Sequence, residues 1–149
     1  MNSLDNCLKN FFSETQIDTG SGFRSHFQRS YIDKMPKVLI IHLNTYYFDH
    51  KTGVTKKINY AIDFNEDLTL SSSYLSNEAN SINSHLSFEL ISVICHKGQK
   101  ANEGHYISFC KDDKQSWWSL NDAKILQIDK KNIFKFRPYL LFYQYRNLN

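Results

Sequence analysis

Cysteine, glycine and proline are scarce in this sequence of 149 residues, which contains 3, 5 and 2 of them. The cysteines are Cys7, Cys95 and Cys110, and no CxxC pair occurs, which argues against a disulfide framework and against a zinc ribbon. Long hydrophobic runs are lacking as well, since no segment approaches the ~18 apolar residues of a membrane helix. Residues 1–8 do not resemble a signal peptide. We therefore predict an intracellular protein of the cytoplasm or nucleus, without a membrane partner.

An excess of one charge is also missing. The 18 basic and 15 acidic residues give a net charge of +3 that is dispersed along the chain, so we predict no nucleic-acid partner. We likewise predict no metal ion and no cofactor. The length fits one domain over residues 1–149 with a single core, and the 41% of hydrophobic residues are typical of a globular protein.

Aromatic residues are abundant, at 15% of the chain, and they favour strands. The pattern of residues 37–43 (KVLIIHL) is a continuous apolar run, which predicts a central strand covered on both faces, with His42 buried. Residues 3–12 (SLDNCLKNFF) have helical spacing and a start signal at Ser3, which predict a short amphipathic helix. Further strands are predicted at residues 45–49, 54–64, 88–95, 105–110, 116–120 and 139–145, and a surface loop with a helical turn at residues 71–84. The expected fold is α+β and mostly β, with one twisted, mostly antiparallel sheet.

The two strands at residues 105–110 and 116–120 form a predicted hairpin that brings polar side chains together. If residues 111–115 are the turn, His105 lies directly opposite Asn121, within hydrogen-bonding reach on the same face. A tighter turn would place Asp122 opposite His105 instead, so the register decides between the two. A histidine oriented by Asn or Asp is the base half of a Cys/His/Asn or Ser/His/Asp arrangement. The alternative is an ordinary polar pair near a sheet edge.

A metal cluster is a further alternative by residue type, formed by Cys95, His96, His105 and Cys110. It is disfavoured because Cys95 and His96 are neighbours that point to opposite faces if their strand continues. Cys95 and Cys110 are better explained as small core residues.

Several motifs then carry a resemblance to a known family. The segments GHYISF, WWSLNDAKI and PYLLFYQ resemble the histidine box and closing strands of the ubiquitin-specific proteases, the papain-like cysteine deubiquitinases. Four further segments are similar to that family in the same order along the chain: SLDNCLKNFF, MPKVLIIHLN, FNEDLTLSSSYL and FELISVICHKG. The resemblance implies the palm of the catalytic domain, with shortened fingers, thiol-dependent cleavage of ubiquitin isopeptide bonds, and ubiquitin or a ubiquitinated protein as the partner.

The resemblance also implies roles for individual residues. His105 corresponds to the general base, Asn121 to the residue that orients it, and Asp122 to the neighbouring acid that the family often retains. Residues 96–104 correspond to a blocking loop over the ubiquitin tail, and Gly104 to the narrow slot through which that tail passes. Trp118 corresponds to the aromatic residue that packs beneath the pair. The substrate-binding residues expected on this basis are Gly104, Tyr106, His96 and Trp118.

Other family features have no counterpart in the sequence. Nothing matches the nucleophile motif of the thumb subdomain, which resembles GNTCYMNS, so we expect the thumb to be absent and the chain to be inactive alone. The thiol would come from a Cys-bearing thumb segment or a partner chain. Residues 23–35 lack the CxxC pair that holds zinc in many relatives. Two alternatives remain: an inactive relative that binds ubiquitin or scaffolds a complex, and a self-sufficient hydrolase that uses Cys7 at a helix N-terminus.

Overall fold

A computed structural model describes residues 3–17, 26–58, 61–82, 86–98, 100 and 103–146. Two helices occur among them, α1 (Leu4–Phe11) and α2 (Asn77–Ile82), together with two 3₁₀ turns (Ser72–Tyr74 and Lys130–Lys135). The strands are β1 (Thr15–Ile17), β2 (His26–Gln28), β3 (Val38–His42), β4 (Tyr46–Asp49), β5 (Val54–Lys57), β6 (Asp67–Thr69), β7 (Ser87–Lys97), β8 (His105–Lys111), β9 (Trp117–Asn121), β10 (Lys124–Ile128) and β11 (Leu140–Tyr145). No helix in these ranges is long and apolar enough to cross a membrane.

The main sheet contains seven strands, six of them in the order β10-β9-β8-β7-β11-β3, with β6 paired to one end of β7. Every pairing in it is antiparallel. Two small hairpins, β1–β2 and β4–β5, stand outside it. The predicted class, a mostly β fold built on an antiparallel sheet, is therefore confirmed. The sequence had indicated one sheet, because strands as short as β1 and β2 leave little periodic pattern to read.

The core lies on one face of the main sheet. Leu4 of α1 and Ile133 of the second 3₁₀ turn form one buried cluster with Val93, Phe109 and Leu141 of three neighbouring strands. The predicted helix is confirmed, and the Ser3 hydroxyl caps it by accepting a hydrogen bond from the amide N–H of Asn6 at 3.2 Å. This cap and the buried Leu4 fix α1 against the sheet.

The strand β3 departs from the prediction because it lies at the edge of the sheet. Its side chains alternate, so that Leu39 and Ile41 pack towards the core while Val38 and Ile40 are 39% and 58% exposed. His42 is exposed too, so the predictions of a doubly covered strand and a buried His42 were wrong. A continuous apolar run indicates burial on both faces, but it does not show which of several apolar strands takes the centre. Here β8 and β7 are the two central strands, and β11 separates β7 from β3.

The strand predicted at residues 54–64 is shorter than expected, because β5 ends at Lys57. Later in the predicted range, the carbonyl of Asp63 accepts a hydrogen bond from the amide N–H of Leu4 in α1 at 2.8 Å. Phe64 is buried in the core beside Leu4. Residues 61–64 therefore lie beside α1 and the core rather than extending a strand.

Candidate active site

The β8–β9 hairpin has a register that neither predicted turn gives. Ser108 pairs with Leu120 and Cys110 with Trp118, which places the centre of the turn at Lys114. The amide N–H of Asp112 donates to the carbonyl of Ser116, while the Asp112 carboxylate accepts from the amide N–H groups of Lys114 and Ser116. An aspartate that bonds the backbone of its own turn stabilises a short loop, and this contact shifts the register. Both predicted registers were wrong for this reason.

The histidine and the amide nevertheless meet. His105 Nε2 lies 2.5 Å from Asn121 Oδ1. Extending the observed register pairs Ile107 with Asn121, so His105 and Asn121 are diagonal neighbours, which long side chains can bridge. Asp122 Oδ2 lies 3.8 Å from the same nitrogen, too far for a hydrogen bond. The structure therefore pairs His105 with Asn121 and places Asp122 beside them.

This contact fixes the chemistry of the imidazole. Because an amide oxygen can only accept, Nε2 carries the proton of the neutral His105 ring and donates it to Asn121. Nδ1 is then the nitrogen with a free lone pair, and it can take a proton from an incoming group. The His105 side chain is 45% exposed, so a second segment or a substrate can reach it. The geometry is that of an oriented general base.

Asn121 is held in place by a strand that the sequence pattern did not predict. It is the last residue of β9 and pairs with Lys124 of β10 across a turn made of Asp122 and Ala123. Asp122 has a φ of 52°, a left-handed conformation that Asp tolerates better than most residues. The dipeptide Asp-Ala is a weak turn signal. Four of the five residues of β10 are exposed, so the hydrophobic pattern does not indicate a strand there.

The residue before His105, Gly104, is tightly packed against the neighbouring strand β7. His96 is not in a loop as predicted, because β7 continues to Lys97, which pairs with His105. His96 is 8% exposed, and its imidazole lies against Gly104. A Cβ built on Gly104 would overlap His96 Nε2 and lie 2.6 Å from the carbonyl oxygen of Lys97. Gly104 therefore gives His96 the space that any side chain would fill.

The remaining predicted substrate residues lie on the other face of the sheet. Tyr106 is 51% exposed, and its ring lies 4.6 Å from the ring of His96. Trp118 is three residues from Asn121, so its side chain points to the opposite face. Its indole N–H donates to Asp112 Oδ2 at 2.8 Å, which ties it to the hairpin turn rather than to His105. Of the predicted site, the structure thus groups His105, Asn121 and Asp122, with Gly104 and His96 behind them. Residues 99, 101 and 102 of the predicted blocking loop, and residues 23–25, lie outside the described ranges.

The cysteines lie in three different surroundings. Cys95 is 2% exposed, and burial raises the pKa of its thiol to about 12. Cys110 is on the face of β8 opposite His105, with its sulfur 3.2 Å from the Ser92 hydroxyl. Cys7 lies one turn inside α1, where its amide N–H donates to the Ser3 carbonyl, so it is not at the N-terminus that was predicted to activate it. In the described residues no hydrogen bond joins His105 to a thiol.

The Cys95 thiol should resist alkylation in the folded chain. At pH 8 we expect iodoacetamide to modify it at least about 100-fold more slowly than in the unfolded chain, because both burial and its raised pKa suppress the thiolate. Peptide mass spectrometry after timed quenching measures the rate, with the same reaction in 8 M urea as the control. Modification of Cys95 as fast as that of Cys110 would contradict the buried placement.

An oriented base at the end of an interior strand, with no thiol hydrogen-bonded to it in the described residues, is one part of a cysteine hydrolase site. The sequence model of the ubiquitin carboxyl-terminal hydrolase family matches residues 2–143. The chain therefore belongs to the ubiquitin carboxyl-terminal hydrolase family.

Two fungal relatives illustrate the extent of the match. Ubiquitin carboxyl-terminal hydrolase 8 of Saccharomyces cerevisiae is 34% identical over 125 residues, which cover 79% of this chain and 26% of that protein. Probable ubiquitin carboxyl-terminal hydrolase 8 of Schizosaccharomyces pombe is 25% identical over 152 residues, or 98% of this chain and 31% of that protein. The chain spans between a quarter and a third of the length of these relatives.

Solved structures agree with the sequence match. A structure of the SAGA Ubp8/Sgf11/Sus1/Sgf73 DUB module bound to ubiquitin aldehyde superposes with a TM-score of 0.84 and 30% identity, covering 99% of this chain and 34% of the matched chain. A related module structure gives a TM-score of 0.86 at the same identity. The fold of this chain is therefore that of part of a deubiquitinase catalytic domain.

Proposed function

We propose that residues 1–149 form one domain, the histidine-bearing palm portion of a ubiquitin-specific protease, in which His105 is the general base and Asn121 orients it. The hydrogen bond between His105 Nε2 and Asn121 Oδ1 at 2.5 Å carries the proposal. It leaves Nδ1 to take the proton of a thiol and later to return it to the lysine amine that leaves an isopeptide bond. The Asp122 carboxylate lies 3.8 Å from His105 Nε2, beside the pair.

The nucleophile belongs on a different segment. Cys95 is buried, Cys110 faces away from His105, and Cys7 is within α1. The proposal therefore assigns the thiol to a Cys-bearing thumb segment or a partner chain, and the chain alone has no turnover. Ubiquitin is the proposed ligand, since a similar module binds ubiquitin aldehyde. Gly104 and His96 would lie along its tail, with Tyr106 and Trp118 as further contacts, and an intracellular location suits such a substrate.

A second candidate is an inactive family member that binds ubiquitin or scaffolds a complex. The observation in its favour is that no thiol is hydrogen-bonded to His105 in the described residues, and that Cys95, on the neighbouring strand, is buried. The two candidates differ in what they require of the histidine. Binding alone tolerates any tautomer of His105, whereas a base needs its free lone pair on one fixed nitrogen.

The test of the proposed function uses the full chain labelled with ¹⁵N. We expect the His105 ring signals to report mainly the Nε2–H tautomer, and Asn121→Ala to convert them to a mixture because the acceptor is lost. Unlabelled ubiquitin should shift the amide signals of Gly104, His105 and Tyr106, and Asp113→Asn in the distant hairpin turn is the matched control. Ubiquitin binding that persists in Asn121→Ala with an unchanged His105 tautomer would support the scaffold instead.

The same preparation tests the missing thiol. A ubiquitin with an electrophile at its C-terminus should leave the chain unlabelled, because Cys95 is buried, Cys110 faces away from His105 and Cys7 lies within α1. Labelling of Cys7 by this probe, abolished by Cys7→Ser, would overturn the assignment of the nucleophile to another segment. Absence of any ubiquitin-induced shift at about 1 mM ubiquitin would overturn the proposal as a whole.

A further inference from the structure

The β4–β5 hairpin is fastened to the segment that leads into His105. Tyr46 and Lys57 are a cross-strand pair at the open end of this hairpin. The hydroxyl of Tyr46 lies 2.7 Å from His96 Nδ1 and donates to the carbonyl of Lys100 at 3.3 Å. The ammonium group of Lys57 donates to the carbonyls of His96 at 3.0 Å and Gly98 at 2.7 Å. Two neighbouring side chains of the hairpin thus hold both the side chain and the backbone of His96.

The segment that they hold is the neck of the loop between β7 and β8, formed by Gly98, Glu103 and Gly104. A Cβ on Gly98 would lie 2.5 Å from the carbonyl oxygen of Glu103 and 2.9 Å from the Cα of Gly104, so the two sides of the neck are in direct backbone contact. The His96 ring packs on the Gly104 side of the neck. Its imidazole is therefore clamped, with Tyr46 at Nδ1 and the backbone of Gly104 at Nε2.

Both partners of this clamp are neutral near pH 7. Burial, with a smaller effect of the Lys57 charge, lowers the pKa of His96 below 6.5. Burial raises the pKa of Tyr46 above 10.0. The contact between them is thus a hydrogen bond between neutral groups, and removing one hydroxyl removes it without leaving a charge behind.

The position of His105 depends on this neck. His105 is the first residue of β8, and its backbone partner Lys97 is the last residue of β7. Terminal residues of paired strands open most easily, and an exposed side chain such as that of His105 gains little from packing. The contacts that hold Gly104, the residue before His105, therefore also keep the His105 imidazole within reach of Asn121.

We propose that Tyr46, Lys57 and His96 form a latch that positions His105 for its reaction, acting through Gly104. The latch rests on the proposed function, because that gives His105 its role. The latch gives the β4–β5 hairpin a role in the site, which the hairpin exerts through the neck of the loop. His96 is accordingly a positioning residue first, and its clamped ring explains the glycine at position 104.

The experiment compares Tyr46→Phe and Lys57→Met with the wild-type chain, with Tyr47→Phe as the matched control on the same strand. Tyr46→Phe keeps the ring and loses only the hydroxyl. We expect amide hydrogen exchange at Gly104, His105 and Tyr106 to become about 10-fold faster in both latch variants, and the His105 ring signals to move towards a tautomer mixture. The melting temperature should change by less than about 3 °C, because the core is untouched. Lys57→Arg, which keeps donors for the two carbonyls, should restore most of the protection.

Exchange rates at Gly104 and His105 within twofold of wild type in both latch variants would overturn the latch. That outcome is separable from failure of the proposed function, since Asn121→Ala tests the orienting contact directly and leaves Tyr46, Lys57 and His96 in place. Faster exchange in Tyr47→Phe to the same degree as in Tyr46→Phe would also overturn it, because the effect would then belong to the hairpin in general.

Discussion

Lys111→Ala is expected to destabilise the fold by about 3 kcal/mol, at the lower end of the range for breaking a buried ion pair. Lys111 has a side chain that is 4% exposed, and its ammonium group bonds Glu89 and, at 2.9 Å, Glu66. It also lies 5.4 Å above the ring of the buried Trp117. Removing the cation leaves two carboxylates, 23% and 25% exposed, with less neutralising charge in a poorly hydrated site. Urea unfolding followed by tryptophan fluorescence measures the loss.

Lys130→Ala is the matched control for this variant. Lys130 also bonds Glu66, at 2.6 Å, but its side chain is 53% exposed. An exposed ion pair contributes less than about 1 kcal/mol, so the control should stay within that distance of wild type. Equal losses in the two variants would show that burial does not distinguish the two lysines.

The same network gives a pH dependence with a definite sign. The Lys111 hydrogen bond is the largest influence that lowers the pKa of Glu89 below 4.5. For Glu66, burial acts in the opposite direction, but the hydrogen bonds of Lys130 and Lys111 outweigh it and the pKa is also lowered. A carboxylate with a lowered folded pKa contributes stability above its unfolded pKa and loses it as the pH falls through the folded value. The difference between wild type and Lys111→Ala should therefore shrink below pH 4.5.

Much of the architecture can be predicted from the sequence, because most of its helices and strands have a clear spacing of hydrophobic residues. The helix α1 has its cap and its apolar spacing, and β7, β8, β9 and β11 each combine a run of apolar residues with a clear boundary. β10 carries no such signal, since Ile125 and Leu126 are 60% and 63% exposed and the turn before it uses Asp122 in a left-handed conformation. Strands that pair without burial cannot be read from burial patterns.

The contact between His105 and Asn121 was anticipated from a register that turned out to be wrong. The contact persists because a diagonal pair is also within reach of an imidazole and an amide. The register itself depends on the Asp112 carboxylate, which bonds three donors of its own hairpin, including the Trp118 indole. Hydrogen bonds from a side chain to its own turn depend on three-dimensional geometry and cannot be predicted from the sequence pattern. The same is true of the contact between Tyr46 and His96, which are 50 residues apart in the chain.

Gly104→Ala should have the largest effect on the site itself. The backbone of Gly104 has a φ of 156°, and an added Cβ would overlap the His96 imidazole and lie 2.6 Å from the carbonyl oxygen of Lys97. Strain and overpacking together are expected to cost about 3 kcal/mol. The carbonyl belongs to β7 and cannot move freely, so the strain should instead displace the start of β8. The His105–Asn121 hydrogen bond should be lost, which the His105 ring ¹⁵N signals report.

Gly53→Ala separates backbone strain from collision. Gly53 also has a positive φ, 67°, but a Cβ there would meet no atom within 4 Å. A left-handed alanine costs about 1–2 kcal/mol, so this control should lose stability without changing the His105 signals. If Gly104→Ala lost no more stability than Gly53→Ala and kept the His105 tautomer, the glycine at position 104 would be required only for its backbone angle. The close packing of His96 on Gly104 would then have no part in holding the base.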